Sequence, residues 1–302
     1  MRLHQYLSAP PVAIAHRGGY LSDSSERTSG VSGDEPTSST DSTVNAERTA
    51  SVSEVELAQR QENTMAAFRG AVDLGYRYLE TDVHTTSDGT LIAFHDDRLD
   101  RVTDSTGIIR ELRHAQLGEA RIGGEYPIPT MEELLTAFDE APGPVRYNVD
   151  LKSNDSVRPM LRLVAQLGIG PRVCVASFSS PRLWVFRALS RLHPRSRRAA
   201  TSAGPIGVAA LRLLPDVLAR WVHSPGIAYQ VPVTSRVLGR EIRVVTPGFV
   251  RRAHAAGKQV HVWTINTESE MHELLDLGVD GIVTDRIDVL QRVLAERASG
   301  AT

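Results

Sequence analysis

Short apolar runs recur along the chain, and most of them alternate with segments that carry the start and stop signals of helices. The runs have the length and the branched apolar side chains of buried strands. Eight strands are predicted, over residues 12–15, 78–83, 145–151, 173–177, 198–202, 228–231, 259–264 and 281–284. The helix signals between them are Asn63 ahead of residues 64–74 and Gly75, Thr130 with Glu133, Thr246 with Pro247 and Gly257, and Thr267 with Glu270 and Gly278.

This regular alternation predicts a (β/α)8 TIM barrel that forms a single domain over residues 1–302. The alternative is an open, doubly wound sheet that binds a dinucleotide. Such a sheet would carry a G-x-G-x-x-G motif directly after its first strand, whereas Gly168-Ile169-Gly170 follows a predicted helix. The α/β barrel is therefore favoured.

One polar segment breaks the alternation directly after the first strand. Residues 20–61 are rich in Ser, Thr, Asp, Glu and Arg and contain no Phe, Trp, Ile or Met. Such a composition buries too little apolar surface to offset the entropy lost on ordering. We predict a long, disordered insertion loop here. Because the loop begins directly after His16-Arg17-Gly18, it could cover a site formed by those residues, but we favour a passive loop over such a lid.

The composition narrows the class of protein. The chain has 302 residues, is 41% hydrophobic and carries a formal net charge of -2, so no nucleic-acid partner is needed to balance a basic surface. No run approaches 18 uncharged apolar residues, and residues 1–8 lack a signal-peptide core. The single cysteine, Cys174, lies in an apolar run and predicts a buried thiol. We expect a cytoplasmic protein without a stable membrane anchor; the oligomeric state stays open.

Polar side chains collect at the predicted strand exits. A histidine after an apolar run, such as His16, is often only a structural residue at a strand end. Here the pattern recurs, and barrel enzymes keep their chemistry at the carboxyl ends of their strands. The residues in question are His16, Glu80, Asp82, His95, Asp150 and Lys152.

The carboxylates among these residues predict a cation site. Residues two apart on a strand face the same side, so Glu80 and Asp82 point together into the barrel, as do Asp150 and Lys152. Three converging carboxylates repel one another unless a cation lies between them, and oxygen ligands suit Mg²⁺ or Ca²⁺. Two alternatives stay open: a salt-bridged rim for Glu80 and Asp82, and a private ion pair between Asp150 and Lys152.

Two basic side chains complete equipment suited to a phosphate ester. Lys152 would supply positive charge, and the planar fork of Arg17 could face two phosphate oxygens. Together with a metal ion, they would stabilise a pentacoordinate transition state.

These motifs, in this order, resemble those of the glycerophosphodiester phosphodiesterases, and the resemblance spans nearly the whole chain. The matching strings are His16-Arg17-Gly18, Glu62-Asn63-Thr64, Glu80-Thr81-Asp82-Val83, His95-Asp96, Asp150-Leu151-Lys152, Val262-Trp263-Thr264 and Gly281-Ile282-Val283-Thr284-Asp285. The resemblance implies a TIM-barrel hydrolase of lipid and glycerol metabolism. It would cleave glycerophosphodiesters to glycerol 3-phosphate and an alcohol, after attack of the substrate's own 2-hydroxyl on phosphorus.

The resemblance also implies roles for individual residues and one divalent cation, Mg²⁺ or Ca²⁺, with Mn²⁺ as a third candidate. His16 and His95 would be the general acid and base, and the metal ligands would be Glu80, Asp82 and Asp150. Arg17 and Lys152 would contact the phosphate, and Trp263 would form the wall of the glycerol or alcohol pocket. Glu62 would orient Arg17 or approach the metal.

Two features depart from the family pattern, and two rival functions remain. The position of Asp150 is more often glutamate in the family, and the family usually has a short loop where this chain has residues 20–61. The rivals are a lysophospholipase D-type hydrolase, which needs an apolar channel, and a barrel that binds a phosphodiester without cleaving it. Retention of the histidine pair argues against the silent barrel. His84 would border the site, and His261 would lie deeper as a structural residue.

Overall fold

The computed structural model describes residues 4–21, 61–193, 198–214, 224–237 and 239–300. The predicted insertion therefore lies almost entirely outside the described residues. The strands, in chain order, are β1 (Val12–Tyr20), β2 (Tyr78–Thr85), β3 (Leu91–Ala93), β4 (Arg121–Ile122), β5 (Tyr126–Pro127), β6 (Arg146–Leu151), β7 (Val173–Ala176), β8 (Ala200–Thr201), β9 (Ala228–Pro232), β10 (Thr234–Val237), β11 (Arg240–Arg243), β12 (Gln259–Trp263) and β13 (Gly281–Arg286).

Eight of these strands form a nearly closed parallel barrel, and the prediction of its fold is confirmed. Their order is β8-β7-β6-β2-β1-β13-β12-β9. The two ends of the sheet meet through two backbone hydrogen bonds: Ile227 N donates to Thr201 O at 2.8 Å, and Ala203 N donates to Ala228 O at 2.8 Å. All eight predicted strands are present. The short strand β3, which pairs antiparallel with β2, and the two hairpins β4-β5 and β10-β11 were not predicted.

Helices pack around the barrel between the strands. In the described residues they are α1 (Met65–Asp73), α2 (His114–Leu117), α3 (Met131–Thr136), α4 (Val157–Leu167), α5 (Ser180–Ser190), α6 (Pro205–Leu213), α7 (Pro247–Ala255), α8 (Glu268–Asp276) and α9 (Ile287–Gly300). No helix of this part of the chain combines the length and apolarity needed to cross a bilayer.

The helix starts follow the predicted capping residues with one exception. Thr130 and Glu133 form the predicted capping box of α3, and the side chains of Thr246 and Thr267 cap α7 and α8. At α1 the prediction was wrong, because Thr64 rather than Asn63 accepts the hydrogen bond from the helix. Asn63 has a φ of 58° and bonds to Thr81 and Asp82 on β2 instead.

The segment before β1 closes the amino end of the barrel. Tyr6 is 1% exposed, its ring packs edge-on against Tyr78 at 5.4 Å, and the Tyr78 hydroxyl donates to the Tyr6 carbonyl at 2.8 Å. Gln259 Nε2 reaches from β12 to the Ser8 carbonyl at 2.9 Å. Cys174 is buried in the same cluster, as predicted, and burial raises the pKa of its thiol. The opposite, carboxyl end therefore holds the open mouth.

Candidate active site

Strands β2 and β6 bring Asp82, Asp150 and Lys152 into direct contact at the carboxyl end. Lys152 Nζ lies 2.8 Å from Asp82 Oδ1 and 2.9 Å from Asp150 Oδ2. Asp82 and Asp150 are paired in register across the two strands, which places their carboxylates on the same side of the sheet. The ion pair between Asp150 and Lys152 is therefore not private, because the ammonium group bridges two carboxylates.

The two predicted histidines face the same cavity and are held in the same way. His16 Nδ1 on β1 lies 2.6 Å from Asp285 Oδ1 on β13. His95 Nδ1, just after β3, lies 2.5 Å from Asp96 Oδ1. Because Nδ1 of each ring contacts a carboxylate, Nε2 of each ring is left to face the cavity. A carboxylate bound to one ring nitrogen fixes the tautomer and the orientation of a histidine. His84, predicted to border the site, reaches the His95 carbonyl at 3.1 Å.

Asp285 itself is fixed by a third side chain. Asn266 Nδ2 donates to Asp285 Oδ2 at 2.8 Å, and Asn266 Oδ1 accepts from the Asp285 backbone nitrogen at 3.0 Å. His16, Asp285 and Asn266 thus form a chain of contacts that orients the imidazole. The sequence motif included Asp285 but gave it no role, because its partner lies far away along the chain.

A left-handed backbone turn carries Arg17 across the top of β1. Arg17 has a φ of 51° and Gly18 a φ of 88°, and a Cβ on Gly18 would lie 2.7 Å from Ala67 Cβ, so only glycine fits there. The Arg17 backbone nitrogen donates to Glu80 Oε2 at 3.1 Å. This turn explains why β1 extends beyond the predicted 12–15 and shifts register after Ala15.

The Arg17 guanidinium lies between two carboxylates. Its Nη1 donates to Glu62 Oε2 at 3.2 Å, and its Nε lies 3.1 Å from Asp82 Oδ2 without the alignment of a hydrogen bond. Glu62 is thus in direct contact with Arg17. Its role, orientation of Arg17 or approach to the metal, stays a prediction. Arg17 and Lys152 bring two positive charges against the carboxylate cluster.

Arg101 is a residue that the sequence reasoning missed. Its Nη2 donates to Glu62 Oε1 at 2.6 Å, and its Nε donates to Asp96 Oδ2 at 2.6 Å. Arg101 thereby bridges two carboxylates: that of Glu62, which contacts Arg17, and that of Asp96, which contacts His95. The available signal was its position five residues after Asp96, which pattern reasoning alone does not single out.

Burial and neighbouring charges shift the pKa values of the acidic groups in opposite directions. Burial, together with the Asp82 carboxylate, raises the pKa of Glu80 to about 7. Burial also raises the pKa of Asp150. The pKa of Asp82 is lowered although burial opposes the shift, because Lys152 and Arg17 stabilise its charged form. Burial therefore works against the charged forms of Glu80 and Asp150, which a bound cation would favour.

These carboxylates fit a divalent cation by the chemistry of their donors. All three predicted ligands offer oxygen atoms, and Asp150 Oδ1 is buried without a hydrogen-bond partner among the described residues. Lys152 occupies the space between Asp82 and Asp150. Within the described ranges, the one group of three or more His, Cys, Asp or Glu residues whose ligand atoms all lie within 4.8 Å of one another is elsewhere, on α8 and α9: Glu268, His272 and Glu296. The structure therefore does not bring Glu80, Asp82 and Asp150 as close together as that.

That outer group is engaged by arginines. Arg292 Nη2 lies 2.6 Å from Glu268 Oε2, and Arg297 Nη1 lies 3.3 Å from His272 Nδ1. It belongs to the helical shell and not to the mouth of the barrel. The site with oxygen donors beside the histidine pair is thus the better candidate for a functional cation.

The candidate site opens into a cavity of about 530 Å³. Of the nine predicted site residues, the structure places eight on its wall: His16, Arg17, Glu80, Asp82, His95, Asp150, Lys152 and Trp263. The ninth, Glu62, lies behind Arg17. Trp263 packs edge-on against Phe178 at 5.5 Å, and Lys152 Nζ lies 5.6 Å from the centre of the Phe178 ring. An aromatic wall therefore faces the charged cluster.

Comparisons with known proteins show the family of the chain. The sequence profile described as the Glycerophosphoryl diester phosphodiesterase family matches residues 51–289. The chain is 38% identical over 242 residues to the probable glycerophosphodiester phosphodiesterase 2 of Mycobacterium tuberculosis, covering 78% of this chain and 86% of that protein. It is 27% identical over 261 residues to the lysophospholipase D GDPD1 of Rattus norvegicus, covering 74% of this chain and 79% of that one.

A solved structure resembles the fold. It is a phosphodiesterase of Oleispira antarctica in complex with the product sn-glycerol-3-phosphate, with a TM-score of 0.65 and 20% identity, covering 95% of this chain and 97% of that one.

Proposed function

The chain belongs to the glycerophosphoryl diester phosphodiesterase family, and from this premise we propose that its barrel hydrolyses glycerophosphodiesters to sn-glycerol 3-phosphate and an alcohol by histidine acid-base catalysis. The observation that carries the proposal is the matched pair of histidines. His16 and His95 each bind a carboxylate through Nδ1 and line one cavity together with Lys152.

The proposed reaction transfers two protons. One histidine takes the proton of the glycerol 2-hydroxyl as that oxygen attacks phosphorus, and the other gives a proton to the alcohol oxygen as its bond to phosphorus breaks. The resulting cyclic phosphate is opened by water, with the proton transfers reversed. Asp285 and Asp96 keep each ring oriented and stabilise it when it is protonated.

Positive charge at the phosphate is the second part of the proposal. Lys152 and Arg17 lie at the cavity wall and would contact phosphate oxygens, with Arg17 held by Glu62. Glu80, Asp82 and Asp150 would hold one divalent cation, Mg²⁺, Ca²⁺ or Mn²⁺, which supplies Lewis-acid charge when bound. Trp263 would wall the pocket for the glycerol or the alcohol. The buried lone thiol Cys174 supports a reducing, cytoplasmic location as part of the same proposal.

The experiment is a turnover assay on the purified full chain. We would incubate it with glycerophosphocholine, glycerophosphoethanolamine and glycerophosphoinositol and measure the release of glycerol 3-phosphate. The expected result is turnover of at least one of them. Binding of a diester without any product would instead support the silent barrel and overturn the proposal.

Removal of the cation tests the second part separately. EDTA should abolish turnover, because the carboxylate cluster would then face the phosphate without a divalent cation, and Mg²⁺, Ca²⁺ or Mn²⁺ should restore it. Full activity in metal-free protein would contradict the cation while leaving the hydrolase intact. Thermal melting with and without EDTA controls for unfolding.

A further inference from the structure

The cavity wall carries three arginine or lysine side chains, and one of them differs from the other two. Arg17, Lys152 and Arg212 all line the cavity. Arg17 contacts two carboxylates, and so does Lys152. In the described part of the chain, no carboxylate contacts Arg212, and the carboxylates that line the cavity all belong to the cluster beside Lys152. Arg212 therefore brings to the cavity a positive charge that no acidic side chain of its wall pairs with.

Arg212 lies across the mouth of the barrel from the histidine and carboxylate side. The eight strands run in the order β8-β7-β6-β2-β1-β13-β12-β9, and β8 and β9 close the ring. The junction of β8 with β9 is therefore opposite β1 and β2, which carry His16 and Asp82. Helix α6, which bears Arg212, follows β8, and the β10-β11 hairpin follows β9. A group bound by Arg212 would thus face the proposed phosphate site from the opposite wall.

The hairpin holds the Arg212 guanidinium by a single nitrogen. Arg212 Nε donates to the Arg243 carbonyl of β11 at 3.1 Å. Its two Nη groups have no hydrogen-bond partner among the residues that the structure describes. A planar guanidinium that is fixed at Nε and keeps both Nη groups available is suited to bidentate contact with a carboxylate or a phosphate.

A serine of the same hairpin offers a second donor. Thr234 pairs with Arg243 across the hairpin, and the next residue, Ser235, lines the cavity. The Ser235 hydroxyl makes no hydrogen bond to any other described residue. A hydroxyl donates to carboxylate or phosphate oxygens as readily as to water. The wall formed by α6 and the hairpin therefore combines one charged and one neutral donor.

The sequence around this wall is also strongly basic. Residues 156–240 contain thirteen arginines and a single acidic residue, Asp216, which lies outside the described residues. This stretch supplies the strands β7 to β9 and the helices α4 to α6. Charge of one sign around a cleft raises the local concentration of ligands of the opposite sign. An anionic group is therefore the class of ligand that this side of the cavity favours.

We propose that Arg212 and Ser235 form an anion subsite for the leaving alcohol, so that the preferred substrate is a glycerophosphodiester whose alcohol carries a carboxylate or a phosphate. The glycerol half of such a substrate carries only hydroxyl groups, so the additional anion belongs to the alcohol. This inference rests on the proposed function, because the phosphate site and the anion subsite bind two parts of one substrate.

The experiment compares pairs of substrates that differ by one anionic group. Glycerophosphoserine differs from glycerophosphoethanolamine by a carboxylate, and glycerophosphoinositol 4-phosphate differs from glycerophosphoinositol by a phosphate. For the purified full chain assayed with Mg²⁺, we expect kcat/KM to be about tenfold higher for the anionic member of at least one pair, because its contact with Arg212 is a charge-assisted hydrogen bond. The pair that responds tells a carboxylate from a phosphate.

Arg212→Gln tests the residue itself. The variant keeps a polar side chain but loses the charge, so the preference within the responding pair should disappear. Ser235→Ala should reduce the preference by a smaller factor. Arg236→Gln is the matched control, since it removes an exposed arginine of the same hairpin that does not line the cavity, and it should leave the preference as it is. Thermal melting checks that all three variants fold.

The outcomes separate this inference from the proposed function. Turnover with equal kcat/KM within both pairs, or a preference that persists in Arg212→Gln, overturns the anion subsite and leaves the hydrolase intact. Calorimetric titration covers the case without turnover. Phosphoserine should bind more tightly than phosphoethanolamine, or inositol 1,4-bisphosphate more tightly than inositol 1-phosphate, and Arg212→Gln should remove the difference. Equal affinity within both of these pairs would overturn the subsite whatever the activity.

Discussion

The two ends of the barrel interior bury polar side chains in opposite ways. At the carboxyl end, Glu80, Asp82 and Asp150 are buried charged groups with two cations among them. At the amino end, His261 is 0% exposed, and its Nε2 meets the neutral Gln259 amide oxygen at 2.9 Å. One end therefore places ionisable groups in direct contact with one another, whereas at the other end the ring of His261 contacts a neutral amide.

The same residue type takes a different role at each end. His16 lies beside Asp285 and Glu80, and although burial opposes the shift, these carboxylates raise the pKa of its imidazole. The His261 ring contacts the neutral Gln259 amide, and burial lowers its pKa to about 4 although the charge of Asp280 opposes the shift. His95 lies between these two cases: burial, with the charges of Arg17 and Lys152, lowers the pKa of its imidazole although Asp82 and Asp96 oppose the shift. The comparison teaches that the balance between burial and the charged partners differs from one histidine to the next.

The largest expected effect tests the carboxyl end. His16→Ala and His95→Ala should each lower kcat by roughly 10² to 10⁴, because each removes one of the two proton transfers. Stability should change little, since both rings face the cavity. The measurement is steady-state glycerol 3-phosphate release together with thermal melting. Activity within a few-fold of the unmutated chain in either variant would remove that histidine from the mechanism and break the contrast with His261.

The next largest effect is the pH dependence of stability that His261 causes at the amino end. Because the folded chain holds the pKa of His261 at about 4 against an ordinary value of 6.5, the folded state binds fewer protons than the unfolded state between these values. Stability is therefore unaffected by this group above pH 6.5 and is lost as pH falls toward 4. The loss amounts to about 3 kcal/mol of unfolding free energy.

The measurement is chemical denaturation at several pH values for the unmutated chain and for His261→Gln. The variant should lose about 3 kcal/mol less than the unmutated chain over that pH range, whatever its stability at neutral pH. Above pH 6.5 the difference in stability between the two chains should stay constant, which is the internal control. Parallel curves for His261→Gln and the unmutated chain would mean that His261 is charged in the folded protein.

The sequence predicted the barrel and the carboxylates because both depend on local pattern. Short apolar runs located all eight strands, and the two-residue spacing along a strand placed Glu80 and Asp82 on one side. The left-handed turn at Arg17 was not predicted, since a positive φ at arginine follows from tertiary contacts and not from propensity. The role of Asn63 was misjudged for the same reason: its amide bonds to β2 instead of capping α1.

The parts of the site that escaped prediction depend on contacts between distant segments. Asp285 holds His16 from the other end of the chain, and Arg101 joins two carboxylates that no local pattern connects. The hairpin β10-β11 lines the cavity with Ser235 and Ile242, and neither of its strands was predicted.

The smallest expected effect concerns Arg101, which belongs to the carboxyl end but touches no reacting group. As a positioning residue it fixes Asp96, and through Asp96 the His95 ring, while it also fixes Glu62 behind Arg17. Arg101→Ala should lower kcat by about tenfold with a smaller change in KM, because misplacement of His95 weakens the transition state more than the bound substrate. Arg101→Lys should recover little, since one ammonium group lacks the fork that spans both carboxylates.

The same loop offers a matched control for Arg101. Arg98→Ala removes an exposed arginine whose partner is Asp100, and kcat should stay at the unmutated level. A double-mutant cycle of Arg101→Ala with Asp96→Asn should show strong coupling, because both changes release the same imidazole. If the two losses simply add, or if Arg98→Ala costs as much as Arg101→Ala, then Arg101 is an ordinary surface ion pair. In that case only Asp285 and Asp96, the carboxylates that contact His16 and His95, would orient the two histidines.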